Sequence, residues 1–420
     1  MAEKIEVLLI CPNLPEGIGQ LFQMTDEYGS GWISGMLEGM KKYPDVHFSY
    51  AVFRTAADNS IVKNESSGIA YNVICYHDHS IITHFLQSMN ADIVHLYGIE
   101  NEYMKDLVDD LDYHRTLIYI QGLASEYAYY YQAGCGQYFP AGLMFQNYLQ
   151  INQKHMKNRG IPELKILSKA KFAAGRTAWD RAVLQKDSFS GIYYHLNESL
   201  RGAFYSNRGW NIQKIRRHSL LLSQGTYPIK GLHMAIEIVR ILKRNMPDIQ
   251  LYVGGEDLLH SNSPATRLGV SYASYIRKMI SAYGLEQNIH FTGFLDAEQM
   301  ADHMRETHVF LLASSIENSP NSLQEAMLVG APCVSSNVGG INTIIENDHQ
   351  CLLYPSEDIA QAAYQIKRVF ENDELAAALS KEGQKRAAFL TNREVNAATL
   401  HDIYLDMQKR IHSERNSRFE

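Results

Sequence analysis

The sequence predicts an α/β protein made of two doubly wound domains, each with a largely parallel sheet. Three observations carry this reading. Short apolar runs alternate with helix-length segments almost throughout the chain; the second half repeats the architecture of the first; and a polar, aromatic and basic stretch without periodicity, 202–217, separates the halves. With 420 residues, 45% hydrophobic and 20% charged, the chain is long enough for two cores and ordinary in composition for a globular protein.

In the first half the strand-like runs are 5–12, 46–53, 70–76, 92–98, 116–122, 170–175 and 191–196. Helical patterns lie between them, for example at Gly31–Lys42. In the second half the runs are 219–225, 249–255, 288–294, 308–314, 331–337 and 351–355. The intervening helix at 231–245 carries Leu232, Ile236, Val239 and Leu242 on one face and meets Pro247. Residues 392–414 read as one or two long amphipathic helices. The expected domains are 1–205, 206–395 and a terminal segment 396–420. Ligands of such sheets bind outside the carboxyl ends of the strands, so the expected site is a cleft where two carboxyl edges face each other.

A net charge of −7 and a pI near 6.2 argue against a nucleic-acid surface. The five cysteines are widely spaced and form no C-x-x-C, so neither a zinc site nor a disulfide framework is expected. The apolar run near the start is short and stopped by Pro12, and no 18-residue apolar run occurs. The expected location is cytoplasmic. Asp110-Leu111-Asp112 sits among other acids and reads as a solvated face, so no metal is expected.

The stretch with the most chemical content is 314–340, SSIENSPNSLQEAMLVGAPCVSSNVGG. Glu317 falls in the loop after a buried strand, and Glu325 in the helix that follows. Asn321 is expected to cap that helix, with Gln324 as its capping-box partner. The first helical amides, at Asn321, Ser322 and Leu323, suit an anion, and carboxylates suit hydroxyls. Diphosphate, ribose and sugar together make a nucleotide sugar. In the plainer reading Glu325 complements the helix dipole and Glu317 is solvated. Lys230 precedes a helix start and therefore needs a counter-ion, for which phosphate is a candidate; otherwise it is a surface lysine. Gly29, Ser30 and Gly31 precede a helix where small residues allow close backbone approach. Gly254 and Phe294 follow strand ends, where they frame a base or only turn the chain.

The order LLLSQGTYPIKG, IQLYVGG, HFTGF, then ENSPNSLQEAMLVGAPCVSSNVGG closely resembles the donor domain of family-four glycosyltransferases, over about 215–395. The first half resembles the family more loosely, and GRTAWDRA (175–182) with NESLR (197–201) resembles a subgroup acting on bacterial surface polysaccharides. The resemblance implies the GT-B fold: two Rossmann-like domains facing a central cleft, with the last helix crossing back to the first domain. It implies a retaining transfer of sugar from a nucleotide-diphosphate donor to a saccharide or lipid-linked saccharide, without metal or other cofactor. Glu317 would bind donor-sugar hydroxyls and stabilise charge near the anomeric carbon, Glu325 the ribose and Lys230 the diphosphate. Amides of Gly29–Gly31 and Asn321–Leu323 would hold phosphates and sugar.

Two positions depart from the family pattern. Thr226 stands where an arginine is frequent, leaving Arg176 or Arg201 to compensate, and Gln121 stands where a histidine is frequent. Gln121 can hydrogen-bond a sugar hydroxyl but carries no proton. Asn197 ends a strand on the acceptor side. The tyrosine-rich segment 126–160 is placed in the first domain, where Tyr130 and its neighbours could stack on an acceptor. Phe139, Leu143, Met144 and Phe145, followed by basic residues, suit peripheral contact with the inner face of a membrane; a loop and a core helix explain them equally well. Two other functions fit the same fold: a non-catalytic nucleotide-sugar-binding partner, and an epimerase or phosphorylase.

Overall fold

A computed structural model describes residues 4–24, 31–187, 189–206 and 209–416. They group into two compact units. Unit 1 falls within Met1–Glu126, Lys157–Leu200 and Thr391–Glu420; unit 2 falls within Tyr127–Met156 and Arg201–Leu390.

Unit 1 is built on eight strands: β1 (Ile5–Ile10), β2 (Val46–Thr55), β3 (Ser60–Ser66), β4 (Ile69–Tyr76), β5 (Ile93–Tyr97), β6 (Thr116–Tyr119), β7 (Phe172–Gly175) and β8 (Ile192–His195). Their order is β3-β4-β2-β1-β5-β6-β7-β8. All pairs are parallel except β3 with β4. The central strand is apolar on both faces, as a sheet covered on both sides requires. Ile5, Val7 and Leu9 of β1 enter one core cluster, with Tyr97, Tyr119 and the helix Arg393–Asn416 through Leu400, Tyr404 and Met407. Leu8 and Ile10 enter the other, with Phe53, Phe85 and Ile118. The terminal segment expected at 396–420 is thus part of unit 1 from Thr391 onward. His95, on β5, is fully buried, stacks on Tyr97 at 4.2 Å and shares a 2.7 Å hydrogen bond with the Tyr404 hydroxyl. Burial holds its pKa down to about 3, so it is a neutral structural histidine.

Unit 2 has six parallel strands: β9 (Ser219–Leu222), β10 (Gln250–Gly254), β11 (Ile289–Gly293), β12 (Val309–Leu312), β13 (Cys333–Asn337) and β14 (Leu352–Pro355), in the order β11-β10-β9-β12-β13-β14. The chain moves outward from β9 through β10 and β11, then returns to the other side of β9 as β12. The loops after β9 and β12 therefore diverge from neighbouring strands, which is where doubly wound sheets open a ligand site.

The thirteen expected strands form, most with trimmed ends, because the residues after a strand belong to the loop that leaves the sheet. Strand β3 was not expected. Its sequence, SIVKNES, is largely polar and alternates between half-buried and exposed positions, as an antiparallel edge with one wet face does. Residues 127–156, expected in the first domain, group with unit 2. They are tied there by named contacts. The His233 Nε2 lies 2.6 Å from the Ala133 carbonyl, the Gly136 N–H donates to the Tyr275 hydroxyl at 3.1 Å, and that hydroxyl donates to the Phe139 carbonyl at 2.9 Å. Phe145 is buried and stacks on Tyr275 at 4.5 Å, while Leu143 and Met144 are exposed.

Unit 1 also buries an unusual carboxyl group. Glu163, on the helix Leu143–Lys169, is fully buried and accepts the Ala124 N–H at 2.6 Å and the Ser125 N–H at 3.1 Å. Burial pushes its pKa up to about 8, and that of Glu100 up to about 7. Both values lie above the unfolded value of 4.5, so the stability these groups contribute is complete below about pH 4.5 and is lost progressively as pH rises from there through 7 to 8. The melting temperature should therefore fall across that window, and Glu163→Gln should flatten the fall. A pH–melting curve with the same slope in the variant would contradict this assignment.

Candidate functional site

In unit 2 three loops converge at the carboxyl edge of the sheet. The loop after β9 runs through Gln224, Gly225 and Thr226 to a short 3-10 turn, Pro228–Lys230, and then to the helix Leu232–Leu242. The loop after β12 runs through Ser314–Pro320 to the helix Asn321–Val329. The loop after β13 carries Gly339 and Gly340.

Two glycines make the convergence possible. Gly231 has φ +74°, and a Cβ there would lie 1.9 Å from the Ala313 carbonyl oxygen. Gly339 has φ +51°, and its Cβ would lie 2.0 Å from the Glu317 carbonyl oxygen. Only a residue without a side chain allows both the conformation and the approach. Backbone hydrogen bonds complete the junction: Ser315 N–H to Ile229 O at 2.9 Å, and Gly340 N–H to Glu317 O at 3.0 Å. The Ser336 hydroxyl donates to the Ser314 carbonyl at 2.6 Å.

This junction places Lys230 against Glu317, with Nζ 2.6 Å from Oε1. The Ser314 hydroxyl donates to the same oxygen at 2.7 Å. The carboxylate side chain is 7% exposed and the lysine side chain 22%. Burial alone would lower the ammonium's pKa, but the adjacent Glu317 carboxylate outweighs it and holds Lys230 well above the usual lysine range. The counter-ion that the lysine requires is thus Glu317 in this structure. Tyr127 also reaches this loop, its hydroxyl accepting the Asn318 N–H at 3.3 Å.

Glu325 is buried in the helix Asn321–Val329 and paired in bidentate fashion with Arg201, at 2.9 and 3.0 Å. Burial raises its pKa, and the guanidinium only partly offsets this. Arg201 in turn lies over the Phe204 ring at 4.8 Å. Arg201 and Glu325 therefore belong to one pair rather than to separate acceptor and donor contacts. The helix cap also differs from expectation. Pro320 is the N-cap and Asn321 the first helical residue, because the Pro320 carbonyl accepts the Gln324 N–H, while the Gln324 side chain donates to Ser319 Oγ at 3.1 Å. The amides of Asn321, Ser322 and Leu323 still open the helix, where no intrahelical acceptor exists for them.

The remaining expected residues of unit 2 lie on the same edge or on the 127–156 segment. Thr226 is half-buried, with its hydroxyl accepting from Gln224 at 3.4 Å. Gly254 ends β10 so close to Ser223 that a Cβ would meet its carbonyl oxygen at 2.4 Å. Phe294 follows β11 and is 57% exposed. Tyr130 is exposed in the turn Ala128–Tyr130. Gly29 and Ser30 lie outside the described residues, and Gly31 begins the helix Gly31–Met40 of unit 1.

Unit 1 gathers a second polar cluster at the carboxyl ends of β6, β7 and β8. The Gln121 side-chain amide donates to Glu198, and Arg176 pairs with the other Glu198 oxygen at 2.6 Å. Arg176 is 5% exposed and lies over the Tyr119 ring at 5.9 Å. Its guanidinium is thus paired with Glu198 within unit 1. Asn197 lines a small cavity beside Tyr97, Tyr119 and Asn396. Glu198 was missed as a site residue, although it sits in the NESLR stretch; a carboxylate next to a candidate asparagine carries no sequence mark of its own. Among the described residues no group of three or more His, Cys, Asp or Glu side chains is arranged to hold a metal ion.

Comparison with known proteins bears on unit 2 first. Residues 214–386, all within that unit, match the sequence pattern of the family Glycosyl transferases group 1. A protein of Escherichia coli (strain K12), whose name assigns it provisionally to colanic acid biosynthesis as a glycosyltransferase, is 29% identical over 165 residues, covering 37% of each chain. The chain spans between 37% and 51% of the length of the first relatives it matches. Among solved structures, the sucrose-phosphate synthase of Thermosynechococcus elongatus superposes with a TM-score of 0.69 at 16% identity, covering 96% of this chain and 99% of that one. Anabaena Alr3699/HepE, solved in complex with UDP and glucose, superposes with a TM-score of 0.67 at 13% identity, covering 96% and 100%. These likenesses establish the fold class as α/β of the GT-B type.

The buried Arg176–Glu198 pair has a thermodynamic signature. Glu198→Ala strands a guanidinium in the core and should cost about 3–5 kcal/mol, whereas Arg176→Met with Glu198→Gln should cost clearly less than the sum of the single changes. Denaturant melts of Glu198→Ala, the single variants Arg176→Met and Glu198→Gln, and the double variant read this out. Additive losses would show that the two side chains are not coupled.

Proposed function

We propose that the chain is a retaining, metal-independent glycosyltransferase. In this reading it moves a sugar from a nucleotide-diphosphate donor to a saccharide or lipid-linked saccharide acceptor in bacterial surface-polysaccharide synthesis. The observation that carries the reading is the Lys230–Glu317 pair, held at the switch point of the unit 2 sheet inside the segment with the group 1 glycosyl transferase pattern. The E. coli relative named for colanic acid biosynthesis supports the polysaccharide context, and the UDP and glucose bound to Alr3699/HepE support a nucleotide-sugar donor.

The chemistry follows from the groups present. Cleaving the bond between sugar and diphosphate leaves positive charge at the anomeric carbon and negative charge on the departing phosphate. Lys230 and the amides of Asn321–Leu323 are donors for the phosphate charge, and such donors in a water-poor site are worth more than in bulk water. Glu317 accepts sugar hydroxyls and offsets charge at the anomeric centre. Glu325, oriented by Arg201, accepts the ribose hydroxyls. Gly254, Thr226 and the exposed Phe294 frame the base. Gln121, held by Glu198, contributes a hydrogen bond to a sugar hydroxyl and no proton. Asn197 and Tyr130 contribute to acceptor binding. Leu143 and Met144, exposed ahead of Lys154 and Lys157, suit peripheral contact with the inner face of a membrane.

The test is nucleotide release from UDP-, GDP-, ADP-, CDP- and dTDP-sugars. One donor should be hydrolysed slowly, since water is a poor acceptor, and faster with a saccharide acceptor present. Glu317→Ala should lower kcat by about 100-fold or more, and Lys230→Ala should weaken the diphosphate donor while leaving the free nucleoside unaffected. Unchanged turnover in Glu317→Ala would overturn the assigned role.

A further inference from the structure

We infer that the Lys230–Glu317 ion pair determines specificity within the proposed donor site, favouring the nucleoside diphosphate sugar over the bare nucleoside diphosphate that transfer leaves behind. The inference rests on the transferase reading above and deepens it.

The backbone of Glu317 is held in place, and its carboxylate is tied to the Ser314 hydroxyl as well as to Lys230. Its carbonyl is bonded to Gly340 N–H at 3.0 Å and pressed against Gly339, the neighbouring Ser315 N–H is bonded to Ile229, and its residue is 6% exposed. Lys230 carries its charge on a flexible four-carbon stem. A phosphate arriving at this loop therefore takes the lysine, and the glutamate stays behind. Its Oε1 then keeps the Ser314 hydroxyl at 2.7 Å and loses the ammonium at 2.6 Å. A buried carboxylate deprived of its cation is costly. A donor sugar repairs the loss, because its hydroxyls donate to the freed oxygens. A bare nucleoside diphosphate offers nothing in return. The same pair thus rewards the intact donor and weakens retention of the product, which favours release after each transfer.

Glu317→Gln isolates this effect. It keeps the shape and the acceptor for Ser314 while freeing Lys230 from its competitor. Titration calorimetry with the five nucleoside diphosphates should show the one that binds wild type binding about tenfold tighter to Glu317→Gln, the effect of one partial ion pair. Inorganic pyrophosphate, which lacks a base, should raise the melting temperature of Glu317→Gln more than that of wild type. The added Lys230→Met change should cancel both gains. Ser314→Ala, a second variant, leaves the stranded carboxylate still poorer in donors, and should weaken the diphosphate more than its sugar conjugate. Equal diphosphate and pyrophosphate binding in wild type and Glu317→Gln would overturn the inference and leave the transferase reading standing. Failure of every nucleoside diphosphate to bind either protein would overturn the reading and the inference together.

Discussion

A single buried contact, the ammonium of Lys230 on the carboxylate of Glu317, constrains the carboxyl edge of unit 2 more than any other interaction. Neither group is tolerable alone at that depth, so the loops that carry them must meet. The meeting is steric as well as electrostatic: Gly231 and Gly339 bring backbone against the Ala313–Glu317 segment at distances that no side chain would allow. The topology supplies the rest. Because β9 and β12 are neighbours and their chains leave in different directions, their loops meet at the carboxyl edge where the sheet's winding reverses.

The second carboxylate obeys the same rule by another route. Glu325 is too buried to remain unpaired, and Arg201 answers it in bidentate geometry, the strongest form of such a pair. In unit 1, Glu198 is answered by Arg176 and Gln121. In each case an acid at the carboxyl edge of a sheet is paired with and oriented by a cation from its own unit. Orientation is what a hydroxyl-binding carboxylate needs, so these pairs are compatible with ligand recognition while also serving stability.

The sequence made the sheets legible because parallel strands buried on both faces read as short apolar runs, and most strands apart from the edges β3, β8 and β11 are of that kind. Strand β3 escaped because it is a half-wet edge whose residues are mostly polar. Of the candidate site, what local spacing carries was legible: Glu317, Lys230, Gly231 and the helix start lie in strand-end loops, as their sequence positions indicated. Partners brought from far along the chain were not. Arg201 meets Glu325 across 124 positions, and Tyr127 meets Asn318 across 191. The cap was misread because asparagine is the stronger capping residue by propensity, whereas here the proline's extended backbone places its own carbonyl to start the helix. The placement of 127–156 was misread because sequence order put it with the strands it follows, whereas its Phe139, Phe145 and Tyr138 find their partners in unit 2.

The most direct measurement is a crystal structure of the protein with a nucleoside diphosphate soaked into the site, refined beside the ligand-free form. The account predicts that Lys230 Nζ leaves Glu317, now 2.6 Å away, for a phosphate oxygen, while the Glu317 carboxylate and its bond to Ser314 stay in place. A bound diphosphate with the Lys230–Glu317 contact intact would contradict it.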